Sequence, residues 1–183
     1  MECIFFEQIN HRFFESDGYA EETERGFENQ TRIIFAIDFA NLIGAIPREA
    51  EELIPRLIPS IDEAMERMGA RAIFVLDRGC LHRLCGGLSD KAYAKLSTQL
   101  RGENVVLTSG QAETTLLQLV EKMKTAIIVS NDRYLFYSRQ FPMVGAGRIA
   151  RFSVVRIQDV GLMFTIAGVR EGIFLPFREE RAA

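Results

Sequence analysis

The sequence predicts an α/β domain built on a mainly parallel sheet, and three observations lead to that fold class. Short apolar runs typical of buried strands alternate with longer helical segments from residue 32 onward. Parallel strands need crossover connections, which these helices provide. With 183 residues, 48% of them hydrophobic, the chain is long enough for one well-buried core and short for two. We therefore expect a three-layer sandwich with helices on both faces of the sheet.

The predicted elements follow one another along the chain. Four strands are expected, over 32–38, 71–77, 104–108 and 125–130. Helices are expected over 47–68, 89–101, 111–123 and from near Asp132. Pro55 and Pro59 should break or restart the first helix, because proline lacks a backbone donor and clashes with the preceding turn. Residues 149–155 and 162–167 predict a fifth strand and an edge hairpin.

Residues 1–31 differ from the rest of the chain. Of the chain's 25 acidic and 22 basic residues, eight and two lie here, which leaves 17 acidic and 20 basic residues elsewhere. Ile and Phe recur at helical spacing over residues 2–14, so we predict a short amphipathic helix followed by a linker over 16–30. We expect this leader to pack onto its own domain, over 32–183, with a contact to a protein partner as the alternative. The mildly basic body permits a polyanionic partner.

Cysteine use and hydropathy indicate the compartment. Cys3, Cys80 and Cys85 give an odd count in a chain without a signal-peptide pattern, which favours a reducing cytoplasm or nucleus. No apolar stretch approaches the roughly 20 residues needed to cross a bilayer. We therefore expect no membrane association.

Acidic side chains stand at the carboxyl ends of the predicted strands. Asp38, Asp77 and Asp132 end a strand or closely follow one, and Glu113 follows the third strand after a short turn. Asn41 lies one turn beyond the first of them. In an open parallel sheet these ends meet at one edge, where clustered carboxylates need a neutralising cation. Oxygen ligands favour Mg²⁺ or Mn²⁺, and such a site suits phosphodiester hydrolysis.

Each acid also has a purely structural explanation. Asp38 could cap the following turn, and Asp132 could cap the helix predicted after it. Glu113 could be a first-turn carboxylate favoured by the helix dipole. Asp77 could pair with Arg78 or cap its own turn. The shared site is favoured because all of these acids stand at one predicted edge.

Two other chemistries fit less well. A haloacid-dehalogenase-type phosphatase needs a second aspartate two residues after Asp38, where this chain has Ala40. A zinc site over 80–85 lacks the ligand spacing of the common zinc modules. We expect its cysteines to pack as small apolar side chains.

Three motifs in succession resemble the PIN/NYN nuclease superfamily, most closely the NYN endoribonucleases of the Regnase type. They are IDFANLI over 37–43, AETTLL over 112–117 and IVSNDRY over 128–134. The resemblance spans residues 32–165. It implies a PIN-like fold and a Mg²⁺- or Mn²⁺-dependent endoribonuclease that cuts single-stranded or stem-loop RNA by attack of a metal-activated water.

The resemblance also implies roles for individual residues. Asp38, Glu113 and Asp132 would be catalytic metal ligands. Asn41 would position a ligand, a water or a phosphate. The loop that presents Asp132 would be shaped by Ser130 and Asn131.

The chain departs from this family's pattern at two positions. Thr114 and Phe136 stand where relatives of this type commonly carry further acids. Asp77 is the candidate that would replace a missing acid as a metal ligand. The alternative function is a degenerate NYN-like domain that binds RNA or another protein without cutting.

Basic residues near the predicted edge are candidates for phosphate contacts. They are Arg78, His82, Arg83, Lys91, Lys95, Arg133, Arg139, Arg148 and Arg151. Such contacts would position RNA without selecting its sequence. Relatives often self-associate, so the resemblance also implies a homodimer. A further possibility is a DNA-directed nuclease of the same superfamily, which would differ from the expected endoribonuclease only in its substrate.

Overall fold

The computed structural model describes residues 32–77, 79 and 88–177 of the chain. The predicted leader over 1–31 and the predicted RNA contacts Arg78, His82 and Arg83 therefore lie outside the described residues.

The first part of the described chain alternates strands and helices. The strands are β1 Ile34–Asp38, β2 Arg71–Asp77, β3 Val105–Thr108, β4 Ala126–Val129 and β5 Ile149–Ala150. The α-helices are α1 Phe39–Gly44, α2 Ile54–Arg67, α3 Asp90–Gln99 and α4 Ala112–Lys122. Three 3₁₀ turns lie at Arg48–Leu53, Leu135–Tyr137 and Pro142–Val144.

The five strands form one parallel sheet in the order β3-β2-β1-β4-β5. The crossover direction reverses between β3 and β4. Because such crossovers are right-handed, α4 lies on the opposite face from α1, α2 and α3. The predicted α/β fold with helices on both faces of a parallel sheet is confirmed.

Strand alternation divides the core between the two faces. Phe35 and Ile37 of β1 pack with Phe74 of β2 into the cluster that α2 covers. Their neighbours along the strands face α4, which contributes the buried side chains Leu116 and Leu117. Both faces are therefore apolar, as expected for a buried parallel sheet.

The two prolines of the first predicted helix behave differently. Pro55 lies in the first turn of α2, where a missing N–H is tolerated, so the predicted restart is confirmed. Pro59 lies inside the same helix, so the prediction that it breaks the helix is wrong. Pro59 is exposed, while Leu57, Ile58 and Ile61 on the buried face hold the helix against the core and outweigh one lost hydrogen bond.

The helix predicted to begin near Asp132 is also wrong, because short 3₁₀ turns occupy this region. Tyr134 has a left-handed backbone with φ 51°, which ends any helical continuation. Its side chain is buried against Asp38. A tertiary contact therefore overrides the local helical pattern.

The predicted C-terminal hairpin is present in a separate antiparallel sheet. Its strands are β6 Phe152–Ile157, β7 Gly161–Ile166 and β8 Ile173–Pro176, in that order. The third of these strands was not expected from the sequence. Gly161 begins the central strand β7, and a glycine is needed there because a Cβ would clash with the carbonyl of Leu175.

Phe164 and Leu175 belong to the same buried cluster as α2, so this sheet packs on the helical layer. Within the described part of the chain, no helix is both long enough and apolar enough to span a bilayer.

Candidate functional site

The candidate site lies at the carboxyl edge of the parallel sheet, on the face that α4 covers. Asp38 is paired in register with Val75, and Asp77 with Thr108. Because side chains alternate along a strand, Asp77 shares the face of Val75 and therefore of Asp38. Ser130, the residue after β4, lies in the same row, so side chains from four strands meet at this edge.

Asp38 is the centre of the site. The residue is 4% exposed, and three protein groups donate hydrogen bonds to its carboxylate. Oδ1 accepts from the backbone N–H of Asn41 at 3.1 Å. Oδ2 accepts from the hydroxyls of Ser130 at 3.0 Å and Tyr134 at 3.1 Å. Asp38 is therefore the N-cap of α1, the structural role foreseen for it, and also a buried acid held in one orientation.

Burial raises the pKa of the Asp38 carboxyl above its ordinary value. The hydrogen bonds from Asn41, Ser130 and Tyr134 lower this pKa, while the nearby Asp132 carboxylate raises it. Burial, followed by the charge of Asp38, also raises the pKa of the Tyr134 phenol, so this hydroxyl remains a proton donor. Burial therefore disfavours the charged form of Asp38, while the three hydrogen bonds partly offset this effect.

The loop after β4 is braced by side chains from two elements. Asn41 Oδ1 accepts from the backbone N–H of Asn131 at 3.0 Å. Asn131 Oδ1 in turn accepts from Phe152 N at 3.2 Å. The backbone N–H of Asp132 donates to Ser130 Oγ at 3.1 Å. Ser130 and Asn131 thus make the contacts expected of residues that shape this loop, and Asn41 orders the loop through its amide oxygen.

Asp132 follows directly and is exposed. Its carboxylate acts on the buried Asp38 through its charge. No helix begins at Asp132, so its structural explanation as a helix cap does not hold. Asp132 therefore faces solvent from a loop whose backbone is fixed.

Asp77 and Glu113 are less closely connected to this centre. Asp77 ends β2 and is half-buried; Glu113 is half-buried in the first turn of α4. Within the described ranges, no three His, Cys, Asp or Glu side chains come together in a group that could hold a metal ion. The structure unites Asp38 and Asp132, and it does not gather the three or four acids that the sequence predicts.

The donor set suits Mg²⁺ or Mn²⁺ in one specific mode. Asp38 Oδ1 accepts one hydrogen bond while Oδ2 accepts two, so Oδ1 keeps a free lone pair. Asp132 adds an exposed carboxylate whose charge acts on Asp38. Mg²⁺ is commonly bound by one or two carboxylates, several waters and a substrate phosphate. The pair fits that mode and does not fit a cage of protein ligands.

Six of the predicted phosphate contacts lie among the described residues: four are exposed on α3 or in the loop after β4, Arg151 braces that loop, and Arg148 lies away from the site. Lys91 and Lys95 are exposed on α3, which begins on the edge of the candidate site; Arg133 and Arg139 are exposed in the loop after β4. Arg151 Nη1 donates to the carbonyl of Asp132 at 2.9 Å, so it braces the loop.

Arg148 lies at the opposite end of the strands, where their amino ends are. Its guanidinium donates to the carbonyls of Met123 and Ala126, where β4 begins. The amino ends of the strands are remote from the acids, so the structure does not place Arg148 with the predicted RNA contacts. Its role is to satisfy carbonyls at the end of α4 and the start of β4.

Tyr134 is the site residue that the sequence did not single out. It is 5% exposed, and its ring lies 6.5 Å from that of Tyr137. Its place between Arg133 and Leu135 gives no periodic signal of burial. The only signal that could have suggested a role is its place at the end of the IVSNDRY motif, two residues after Asp132.

No protein-family model matches the chain, and no curated protein matches it.

Proposed function

We propose that this domain is a Mg²⁺- or Mn²⁺-dependent endoribonuclease that cuts single-stranded or loop RNA, leaving a 5′-phosphate and a 3′-hydroxyl. The observation that supports this most is the buried Asp38 carboxylate, bound by three donors at the carboxyl edge of the sheet and coupled to the exposed Asp132. A buried charge of this kind is costly, and perturbed acids of this kind concentrate at functional sites.

Asp38 and Asp132 are the residues that would hold the ion. When bound, the ion supplies charge stabilisation at the phosphate and a water of lowered pKa. Asp77 and Glu113 lie at the same edge and are the candidates for outer contacts.

The remaining residues of the network fix the geometry. Ser130 and Tyr134 hold Asp38 in one rotamer, while Asn41 ties the Asp132 loop to α1. Arg151 donates to the carbonyl of Asp132 and so also braces the loop. Reacting groups held in advance require less reorganisation when substrate binds, which is the main contribution a protein makes to phosphoryl chemistry.

The second candidate function is a binding module without catalysis. Two observations support it: Asp38 already accepts hydrogen bonds from three protein donors, and the described residues form no group of three metal ligands. Titration calorimetry separates the two functions, since a module of this kind takes up no Mn²⁺ but still binds RNA or a protein partner.

The test of the nuclease is cleavage of an end-labelled, unstructured RNA by the purified chain with Mn²⁺. We expect cleavage by the wild type and a rate at least about 100-fold lower for Asp132→Asn, because one of the two carboxylates that would hold the ion, and with it the charge stabilisation at the phosphate, is lost. The matched control is Asp159→Asn, which changes an exposed aspartate in the β6–β7 turn and leaves the rate unchanged.

Two results would contradict the proposal: no cleavage by the wild type, or equal rates for the wild type and Asp132→Asn. Competition with DNA of the same sequence identifies the preferred nucleic acid. Self-association, a cytoplasmic or nuclear location and a partner for the leader stay predictions that this assay does not test.

A further inference from the structure

A short turn beside the candidate site presents two hydrophobic side chains to solvent. Leu135 is 62% exposed and Phe136 is fully exposed at 101%. Phe136 is four residues after Asp132, so the chain between them limits their Cα separation to about 14 Å. An exposed aromatic side chain therefore lies near the acids.

The turn is fixed at both ends. The buried Tyr134 donates to Asp38 Oδ2 at 3.1 Å, and Tyr137 donates to Gln111 Oε1 at 3.1 Å. The N–H of Tyr137 also donates to the carbonyl of Tyr134 at 2.9 Å. Phe136 is thus presented from a closed turn whose start is attached to the central acid.

The backbone of Tyr134 makes this arrangement costly. Its φ of 51° is a left-handed conformation that is rare for a bulky residue. Strain of this kind persists where surrounding contacts hold it and concentrates at functional sites and ligand clamps. Here the strained residue turns the chain outward while its own side chain remains buried at Asp38.

Two cations flank the turn. Arg133 and Arg139 are exposed, and neither makes a hydrogen bond or ion pair with any residue of the described chain. An exposed aromatic ring with arginines on either side of it in the sequence is a combination by which proteins hold single-stranded nucleic acid, with the ring stacked on a base and the cations at phosphates.

The size of the feature favours a base over a protein partner. A stable protein interface needs about 800 Å² from each partner. Two side chains on one narrow turn offer far less than that, while a single ring is enough to stack one base. The charges on either side also complement phosphate.

We propose that Phe136, supported by Leu135, is a stacking platform for one unpaired base of RNA, with Arg133 and Arg139 at the neighbouring phosphates. The inference rests on the proposed nuclease function and names the residues that would recognise its substrate: they would bind an unpaired base and its phosphates without sequence selection. Bases in a duplex are stacked on each other and unavailable to the ring.

The test is fluorescence anisotropy with a short, labelled, unstructured RNA in EDTA, so that binding is measured without cleavage. We expect Phe136→Ala to raise Kd about 10-fold, the effect of losing one base stack, and Phe136→Trp to keep the wild-type Kd. The control Phe174→Ala, at an exposed position on β8, leaves Kd unchanged. An RNA without bases binds the wild type and Phe136→Ala equally.

Equal Kd values for the wild type and Phe136→Ala, or a duplex that binds as tightly as the single strand, would overturn the platform. Equal values would leave a protein contact as the remaining use of the turn. A wild type that binds RNA through Phe136 but never cleaves it would contradict the nuclease alone. Cleavage with no contribution of Phe136 to binding would contradict the platform alone.

Discussion

The two halves of the candidate site are built differently. On the β1–β4 side, the side chains of Asp38, Asn41, Ser130 and Tyr134 all accept or donate hydrogen bonds within one network. On the β2–β3 side, Glu113 is half-buried in α4, and its side chain makes no hydrogen bond or ion pair with another described residue.

This difference follows from burial. A carboxylate deep between strands must be matched by donors, because an unmatched buried charge costs several kcal/mol. A half-buried carboxylate at the start of a helix is solvated and needs no partner. Asp38 is therefore held in advance, while the Glu113 side chain is able to adjust to substrate.

The largest expected effect comes from removing the central acceptor. Asp38→Ala leaves the Ser130 and Tyr134 hydroxyls and the Asn41 N–H without their partner, so we expect the free energy of unfolding to fall by about 3 kcal/mol. Glu113→Ala, the matched change in the other half, should cost only about 0.5 kcal/mol, the interaction of one acid with a helix dipole. Urea denaturation of both variants measures the difference, and equal losses would abolish the distinction between the halves.

A smaller effect is expected from removing one donor. Tyr134→Phe deletes the hydroxyl that reaches Asp38 Oδ2, and we expect unfolding to cost about 1.5 kcal/mol less, because this hydrogen bond is buried and its acceptor is an acid. Tyr137→Phe, in the same turn, loses a more exposed bond to Gln111 and should change stability by less than about 0.5 kcal/mol. Equal losses of unfolding free energy in the two variants would show that the buried hydrogen bond stabilises the fold no more than the exposed one.

The smallest effect is a trend with pH. The pKa of Asp38 is raised in the folded state, so its contribution to stability is full below the unfolded pKa of about 3.9 and is lost as pH rises through the folded pKa. Asp38→Asn cannot ionise, so the variant should gain in stability relative to the wild type as pH rises from about 4 through the folded pKa of Asp38. Thermal unfolding across this range measures the trend, and a constant difference contradicts it.

The Asp38→Asn variant also tests whether Asp38 binds the metal ion. Excess Mn²⁺ binds only the folded wild type and should raise its Tm at neutral pH, while leaving that of Asp38→Asn unchanged. Equal responses of the two proteins would exclude Asp38 as a ligand.

Much of the fold was predictable because it depends on local patterns. Apolar runs such as 71–77 and 125–130 predict buried strands with bounds close to those observed. Pro59 was misjudged because the packing of the buried face of α2 stabilises the helix beyond its local propensity. β8 was missed, since four residues have no periodicity until β7 pairs with them.

The site was predictable to a lesser degree. Asp38 and Asp132 were identified because strand ends converge at one edge of any parallel sheet. Arg148 was placed with them by its position in the chain, although it precedes β5 and therefore lies at the opposite edge. Tyr134 was overlooked because a tyrosine in a polar loop is ordinarily exposed.

By itself, the sequence determined the alternation of strands and helices, the parallel sheet and the edge at which the acidic residues lie. These depend on hydrophobic periodicity and on the direction of the chain, which are local properties. Only the tertiary structure decided which acids meet, that Asp38 is buried among three donors, and that Tyr134 turns back to it while Phe136 faces solvent. Those outcomes depend on side chains up to 96 residues apart in the chain, whose distances no local pattern contains.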